Sequence, residues 1–442
     1  MTRRGVLLFP LAVLLGSLAP GCDSSSGTSD AIDVPSDVPA DVPTDVASDV
    51  PADVPEPAGR DGLMGWHTLG PEFLDGSSYD GMSFEWDYFM IHDEKAGFTG
   101  SIGYLIANPR RLDDLFGNQV PKGANVAVAG RWPDGKISSE YVNFGYEGFQ
   151  AGNTTRSLSA GPLTSGAFAR MTPDPATNRL RLEGQTDKAS WDLTVWQGWP
   201  ALSVNDAQFV PVRDATLGAL SPADENWNVN MLWPYTRITG TLTNLATGTA
   251  LTIDGHGYRE NSWGRWAFNL GGWDFAVVGD KAAGVMWAWQ TYHFNSTILD
   301  YLDLAVQRDG VLDFQTFRAA DGQLGWRHDG WRWDATATQC VPRDAVVIAQ
   351  NAKYRVEAQV TVGDNSAPML SDATDATKAY VIFILFPTVS GTVTDRATGD
   401  VVATFSGQGG GEFATARSDA PVKTEAECAS WGTETYSSPM PQ

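Results

Sequence analysis

The chain of 442 residues carries 53 acidic against 30 basic side chains, 17 tryptophans and three cysteines. Its length suits two domains of ordinary size. So large an acidic excess argues against nucleic acid and against an anionic lipid surface as ligand, and leaves neutral or cationic partners open.

The N-terminus reads as an export signal over residues 1–21. Arg3 and Arg4 supply positive charge, and Val6 to Ala19 is an apolar run too short for a membrane span. Leu18-Ala-Pro-Gly-Cys22 matches a lipoprotein processing site with Cys22 as the lipidated residue, the alternative being an ordinary secretory signal with an incidental cysteine. Thr2-Arg3-Arg4 is a partial twin-arginine pattern and leaves the export route open. The expected location is the bacterial cell envelope, with membrane contact through the lipid anchor alone.

Residues 22–62 read as a tether. Asp33-Val-Pro-Ser, Asp37-Val-Pro-Ala and Asp41-Val-Pro-Thr open a four-residue repeat that continues through Asp45, Asp49 and Asp53. Recurrent proline forbids helix and regularly spaced like charges repel, so the segment is extended and solvated. At about 3.1 Å per residue it spans on the order of 100 Å at most.

From about Leu63 the pattern changes to short runs of period two, rich in Trp, Tyr, Phe, Val and Thr and punctuated by Gly, Asn and Asp. That predicts antiparallel β-structure throughout. Trp227, Val229, Met231, Trp233 and Tyr235 fall on one face of a strand, Val285 to Phe294 alternates in the same way, and Tyr380 to Phe386 is apolar on both faces. Helix signals are confined to Arg111–Phe116 and Asp419–Ala429. Two barrels or sandwiches fit the length. Arg213 to Asn226 is the least structured stretch, which divides the folded part into residues 63–224 and 225–442. Cys340 and Cys428, left over once Cys22 is lipidated, are expected to form a disulfide in an exported protein. In the chain-entropy picture so long a closed loop contributes up to about 4 to 5 kcal/mol.

The ionisable groups gather in Asp254-Gly-His-Gly-Tyr-Arg-Glu-Asn-Ser-Trp-Gly264. On a strand His256, Tyr258 and Glu260 share one face while Arg259 and Asn261 take the other. Neighbours in that set sit roughly 7 Å apart, which suits lining a shared cavity and is too far for direct hydrogen bonds along the strand. Gly255 and Gly257 fit a strand that bends or is approached closely by another backbone.

Three blocks carry a resemblance. Gly257-Tyr-Arg-Glu-Asn-Ser-Trp-Gly264 resembles the Gly-Tyr-His-Asp/Glu-x-Asn block of the hydroxyneurosporene synthase or AttH-like family, which includes carotenoid 1,2-hydratases. Phe84-Glu-Trp-Asp-Tyr-Phe89, followed by Gly100-Ser-Ile-Gly103, resembles its N-terminal Glu-Trp-Trp-Tyr block. Trp233-Pro-Tyr-Thr-Arg-Ile-Thr-Gly240 resembles the strand before its tyrosine motif. The resemblance spans most of Gly65 to Phe413. It implies an all-β fold of two packed lipocalin-like barrels with an apolar small molecule near their junction. It places Met231, Trp233, Trp263, Trp86 and Tyr88 as ligand-lining candidates. The hydratase branch has a histidine where Met231 stands and an aspartate where Glu260 stands, so the resemblance supports fold and ligand class more than one reaction.

The chemical expectation is that Glu260, desolvated among aromatic rings, keeps its proton near neutral pH and delivers it to a carbon–carbon double bond, assisted by Tyr258 and His256. Aromatic faces would stabilise the cation. A structural alternative pairs Glu260 with Arg265 or with an arginine of a neighbouring strand. His256 is equally readable as a strand histidine, and Tyr258 as a cross-barrel hydrogen bonder. His67 and His293 are minor candidates, and Trp326, Trp331 and Trp333 around His328 read as a hydrophobic hairpin. Gln408-Gly-Gly-Gly-Glu412 reads as a closing strand, with Glu412 a secondary candidate for a further carboxylate. Neither metal nor cofactor is called for. A non-enzymatic carrier of an apolar ligand and a tryptophan-rich carbohydrate binder are the alternative functions.

Overall fold

The computed structural model describes residues 66, 83–108, 123–145, 149–152, 155–199, 210–211, 226–265, 272–292, 300–370, 381–415, 424–432 and 437–441. The leader, Cys22, the tether, His67, His293 and Arg111–Phe116 lie outside them. For strand residues 231–234, 263–265 and a few others only the backbone is described.

Twelve strands make the first lobe: β1 (Ser83–Asp93), β2 (Phe98–Asn108), β3 (Gly123–Arg131), β4 (Ile137–Gly145), β5 (Phe149–Ala151), β6 (Leu158–Ala160), β7 (Phe168–Asp174), β8 (Arg179–Gln185), β9 (Ala189–Gln197), β10 (Val210–Pro211), β11 (Asn226–Asn244) and β12 (Thr249–Arg265). They form one antiparallel sheet in the order β4-β3-β2-β1-β12-β11-β9-β8-β7-β6-β5, with β10 on β11. Its two edge strands are consecutive in the chain, so the sheet curls until the edges lie near each other, as a nearly closed barrel requires. Side chains fill the lumen. The Tyr104 hydroxyl on β2 donates to the Arg170 carbonyl of β7 at 3.1 Å and accepts from Trp191 Nε1 of β9 at 3.0 Å. Strict alternation builds these walls: Arg179-Leu-Arg-Leu on β8 runs exposed, buried, exposed, buried.

The second lobe comprises β13 (Trp273–Asp280), β14 (Val285–Tyr292), β15 (Tyr301–Arg308), β16 (Val311–Arg318), β17 (Leu324–Asp334), β18 (Gln339–Gln350), β19 (Tyr354–Thr361), β20 (Ser366–Leu370), β21 (Val381–Leu385), β22 (Thr388–Asp395), β23 (Val401–Gln408) and β24 (Gly410–Thr415). They form two sheets, β16-β15-β14-β13-β24-β21-β20 and β17-β18-β19-β22-β23. Trp287, Trp289, Leu302, Trp326, Val347, Val356 and Phe405 interdigitate between them. As expected, Trp326, Trp331 and Trp333 lie on an apolar hairpin, β17 with β18, and His328 is buried within it, 4.7 Å from the Trp331 ring and 3.2 Å from Asp274 Oδ2. The described part of the expected C-terminal helix is α1 (Glu425–Ala429), started by a Thr424/Glu427 capping box. Cys428 on α1 is bridged to Cys340 on β18 across 88 residues, and Trp431 packs on Trp331 at 4.7 Å.

The fold is therefore all β with two lipocalin-like lobes, and from Trp66 onward the described residues belong to one compact unit. The change of sheet does not fall at 224/225. Strands β11 and β12 follow that point yet bond within the first sheet, β12 to β1 and β11 to β9, so the crossing lies between Arg265 and Trp273. The loop composition before β11 marks a connection inside a lobe. The one-face run from Trp227 to Tyr235 is also interrupted, because β11 shifts register against β12 between Asn230 and Trp233 and again between Trp233 and Thr236. Each irregularity turns the alternation by one residue.

Where the lobes meet, β13, β14 and most of β15 are buried on both faces, which single-face alternation from Val285 did not anticipate. One face serves the second lobe's own core. The other presents Phe275, Val277, Met286, Ala288, Tyr301 and Ala305 to Tyr88, Met90, Leu105 and Tyr258 of the first lobe. Gly410 makes this contact possible, since a Cβ there would lie 1.5 Å from Met90 Cε.

Candidate functional site

Strands β1 and β12 pair so that Tyr88 opposes Glu260, Trp86 opposes Ser262 and Met90 opposes Tyr258. Alternation sends these six side chains toward the second lobe, and Glu85, Asp87, Phe89, Arg259 and Asn261 into the first lobe's lumen. The backbones come very close at Gly257, where a Cβ would stand 1.7 Å from the Met90 carbonyl oxygen.

Glu260 is 4% exposed. Tyr258 Oη donates to its Oε2 at 2.7 Å, while Trp86 Nε1 and Ser262 Oγ each donate to Oε1 at 3.1 Å. The side chains of Tyr258 and Glu260 lean together and bond directly, contrary to the separation expected from strand rise alone. Burial raises the Glu260 pKa above the usual carboxylate value, and the three hydrogen bonds pull part of the way back. Its hydrogen-bond partners are a phenol, an indole and a hydroxyl, none of them an arginine. Tyr258 is lifted well above an ordinary phenol by burial and by the Glu260 charge, so it stays a neutral donor.

The second lobe contributes a matching acid. Trp273 Nε1 on β13 donates to Glu412 Oε2 on β24 at 2.9 Å, and the Trp273 ring stacks on Trp86 with centroids 6.3 Å apart. Two indoles from different lobes thus lie face to face, each holding its own carboxyl group. Burial pushes Glu412 up to about 7, and the Glu260 charge adds to the rise. Glu412 itself is half-buried. The buried Tyr88 hydroxyl lies near Ser101 and Glu412 without a well-formed hydrogen bond to either. Phe275 fills the space between Tyr88, at 6.3 Å, and Tyr258, at 5.7 Å. Further along the same face the Tyr301 hydroxyl donates to Gln290 Oε1, and burial pushes Asp303 to about 7.

Directly behind, an ionic layer fixes the strand pair. Arg259 donates to Asp87 from Nε at 2.8 Å and from Nη2 at 2.6 Å, and Arg156 reaches Glu85 at 2.6 Å. All four side chains are buried and their charges cancel. Asn261 Nδ2 ties Glu85 to the Trp86 carbonyl, at 3.2 and 2.9 Å, so the layer also orients the tryptophan of the opposite face. Trp66 covers Arg156 at 4.7 Å.

Of the residues singled out from sequence, Glu260, Tyr258, Trp86 and Tyr88 are brought together. His256 is not: half-buried, it stacks on Tyr235 at 5.3 Å, meets His92 edge-on at 5.2 Å and contacts the Gly279 carbonyl at 3.3 Å. Burial lowers its pKa. The backbones of Met231, Trp233 and Trp263 run in β11 and β12, and their side chains lie outside the described set. Tyr301, Gln290 and Asp303 were not foreseen as site residues, whereas Trp273 belongs to a set of tryptophans, with Trp233, Trp263, Trp266, Trp287 and Trp289, read from sequence as core filling with a ligand role for about two. Asp303 had a visible signal, being one acid in the apolar run Tyr301-Leu-Asp-Leu-Ala-Val.

No family model matches the chain, and no curated protein matches it significantly. Among solved structures it is similar to a candidate AttH protein from Nitrosomonas europaea, at TM-score 0.50 and 13% identity, over 77% of this chain and 94% of that one. Kievitone hydratase from Nectria haematococca follows at TM-score 0.49 and 13% identity, over 81% and 95%. CghA with Sch210972 stands at TM-score 0.49 and 12% identity, over 76% and 89%. The chain has the AttH-like fold.

Proposed function

We propose that the lobe junction holds an apolar small molecule of isoprenoid or polyketide type and that Glu260 delivers a proton to one of its carbon–carbon double bonds. The observation that carries this reading is the buried Glu260 carboxyl group, bonded among the described residues only to neutral donors and to no cation, beside the stacked faces of Trp86 and Trp273. A proton moves from Glu260 to carbon, and the electron-rich indole faces stabilise the positive charge. Water that adds to the cation gives a hydrate, and its released proton passes to Glu412 and back to Glu260. Capture by a second double bond gives a ring instead.

Native mass spectrometry of the purified full chain identifies the retained compound, and incubation with that compound in D2O reads the chemistry. The wild type incorporates carbon-bound deuterium. Glu260→Gln binds equally and incorporates none. Deuterium incorporation persisting in that variant rejects the proton-donor role, and binding without incorporation in the wild type leaves the carrier reading. A sugar platform is disfavoured, because no described tryptophan is exposed. We further propose that a lipid on Cys22 holds the protein at the cell envelope. A mature mass that lacks the lipid, or is unaltered in its lipid by Cys22→Ala, refutes that.

A further inference from the structure

Asp303 stands on the face of β15 that turns toward the first lobe, between Tyr301 and Ala305 and opposite Ala288 and Thr316. It is 1% exposed. Thr316 Oγ1 donates to Oδ1 at 2.6 Å, whereas Oδ2 is buried with no hydrogen-bond partner among the described residues. Nothing in the proton transfer assigned to Glu260 uses it. A purely structural acid in an apolar layer would be satisfied on both oxygens, because an orphaned polar atom costs free energy.

The chemistry of the orphan narrows its partner. An ionised Oδ2 requires a donor, and a protonated one requires an acceptor. Burial pushes Asp303 up to about 7, with the Thr316 hydrogen bond and then Arg318 opposing the rise. A hydroxyl serves both forms, since it donates and accepts. A carbonyl or ether serves only the protonated acid. The groups facing this carboxyl are Tyr301 on its own strand, Arg318 on β16 and Tyr258 from the first lobe. Tyr301 already gives its proton to Gln290, and Tyr258 gives its own to Glu260.

We infer that Asp303 is the anchor for a hydroxyl group on the ligand, so that the molecule held at the junction is an apolar alcohol rather than a pure hydrocarbon. The inference rests on the reading of the junction as an apolar-ligand site.

Displacement of N-phenyl-1-naphthylamine from the full chain by farnesol, farnesyl methyl ether and farnesene tests this. Farnesol should displace about tenfold better than farnesene from the wild type, the value of one buried hydrogen bond, and Asp303→Leu should remove that preference. Asp303→Asn, equal in size and unable to ionise, guards against misfolding of the leucine variant. In the wild type the ether should bind more weakly at pH 8.5 than at pH 5.5, while in Asp303→Asn the two values coincide. Equal displacement by alcohol and hydrocarbon, or a preference intact in Asp303→Leu, or an ether pH response unchanged in Asp303→Asn, overturns the inference and leaves the apolar-ligand reading standing. Displacement by none of the three overturns both.

Discussion

Acids on the lumen face of the β1/β12 pair and acids at the lobe junction are treated in opposite ways. On the lumen face Glu85 and Asp87 are neutralised by Arg156 and Arg259. On the junction face Glu260 and Glu412 are held by indoles and hydroxyls. Burial alone therefore does not decide what an acid does; its partner does. A guanidinium fixes a carboxylate as a charge, and a neutral donor leaves the proton free to stay or go.

That contrast can be broken most severely from the lumen side. Arg259→Met leaves Asp87 without its two-point partner and should lower stability by about 3–5 kcal/mol in urea unfolding, because two buried carboxylates are left to share the Arg156 guanidinium. A loss below 1 kcal/mol would show that Arg156 carries the layer alone. The junction side should respond to pH instead. Glu412 and Asp303 hold folded pKa values of about 7, above their unfolded ones. Their contribution is thus fully present below about pH 4 and is lost as pH rises to about 7, at about 1.4 kcal/mol per pH unit for each group. Urea midpoints of Glu412→Gln should show a shallower decline than wild type across that window. An unchanged slope would remove Glu412 from the comparison. Smaller again, Tyr258→Phe takes one donor from Glu260 and should lower stability by about 1 kcal/mol while raising the pH at which Glu260 ionises. The slightest effect belongs to His256→Asn, which should leave both deuterium incorporation and ligand retention within twofold of wild type, since His256 stands outside the acid cluster.

Much of this organisation was legible in the sequence. The period-two face of Tyr258 and Glu260 against Arg259 and Asn261 is local, and strand geometry preserves it. The disposition of Glu412 was less so, because only the pairing of β24 with β13 brings it beside Trp273. Pattern reading also failed where an element serves two cores. Strands β13 to β15 bury both faces, so the apolar run around Asp303 carries no period to show that this acid points at the other lobe. The boundary near Asp224 failed for a related reason: a proline- and aspartate-rich loop marks a break in regular structure, and only hydrogen-bond register reveals which sheet the chain rejoins.

The Trp86–Trp273 stack has an optical consequence. Two indoles 6.3 Å apart and inclined by 23° couple their transition dipoles, and they ride on separate lobes. Any hinge-like parting of the halves must therefore weaken an exciton couplet in the far-ultraviolet circular dichroism, giving the protein an intrinsic gauge of its own opening that needs no added label.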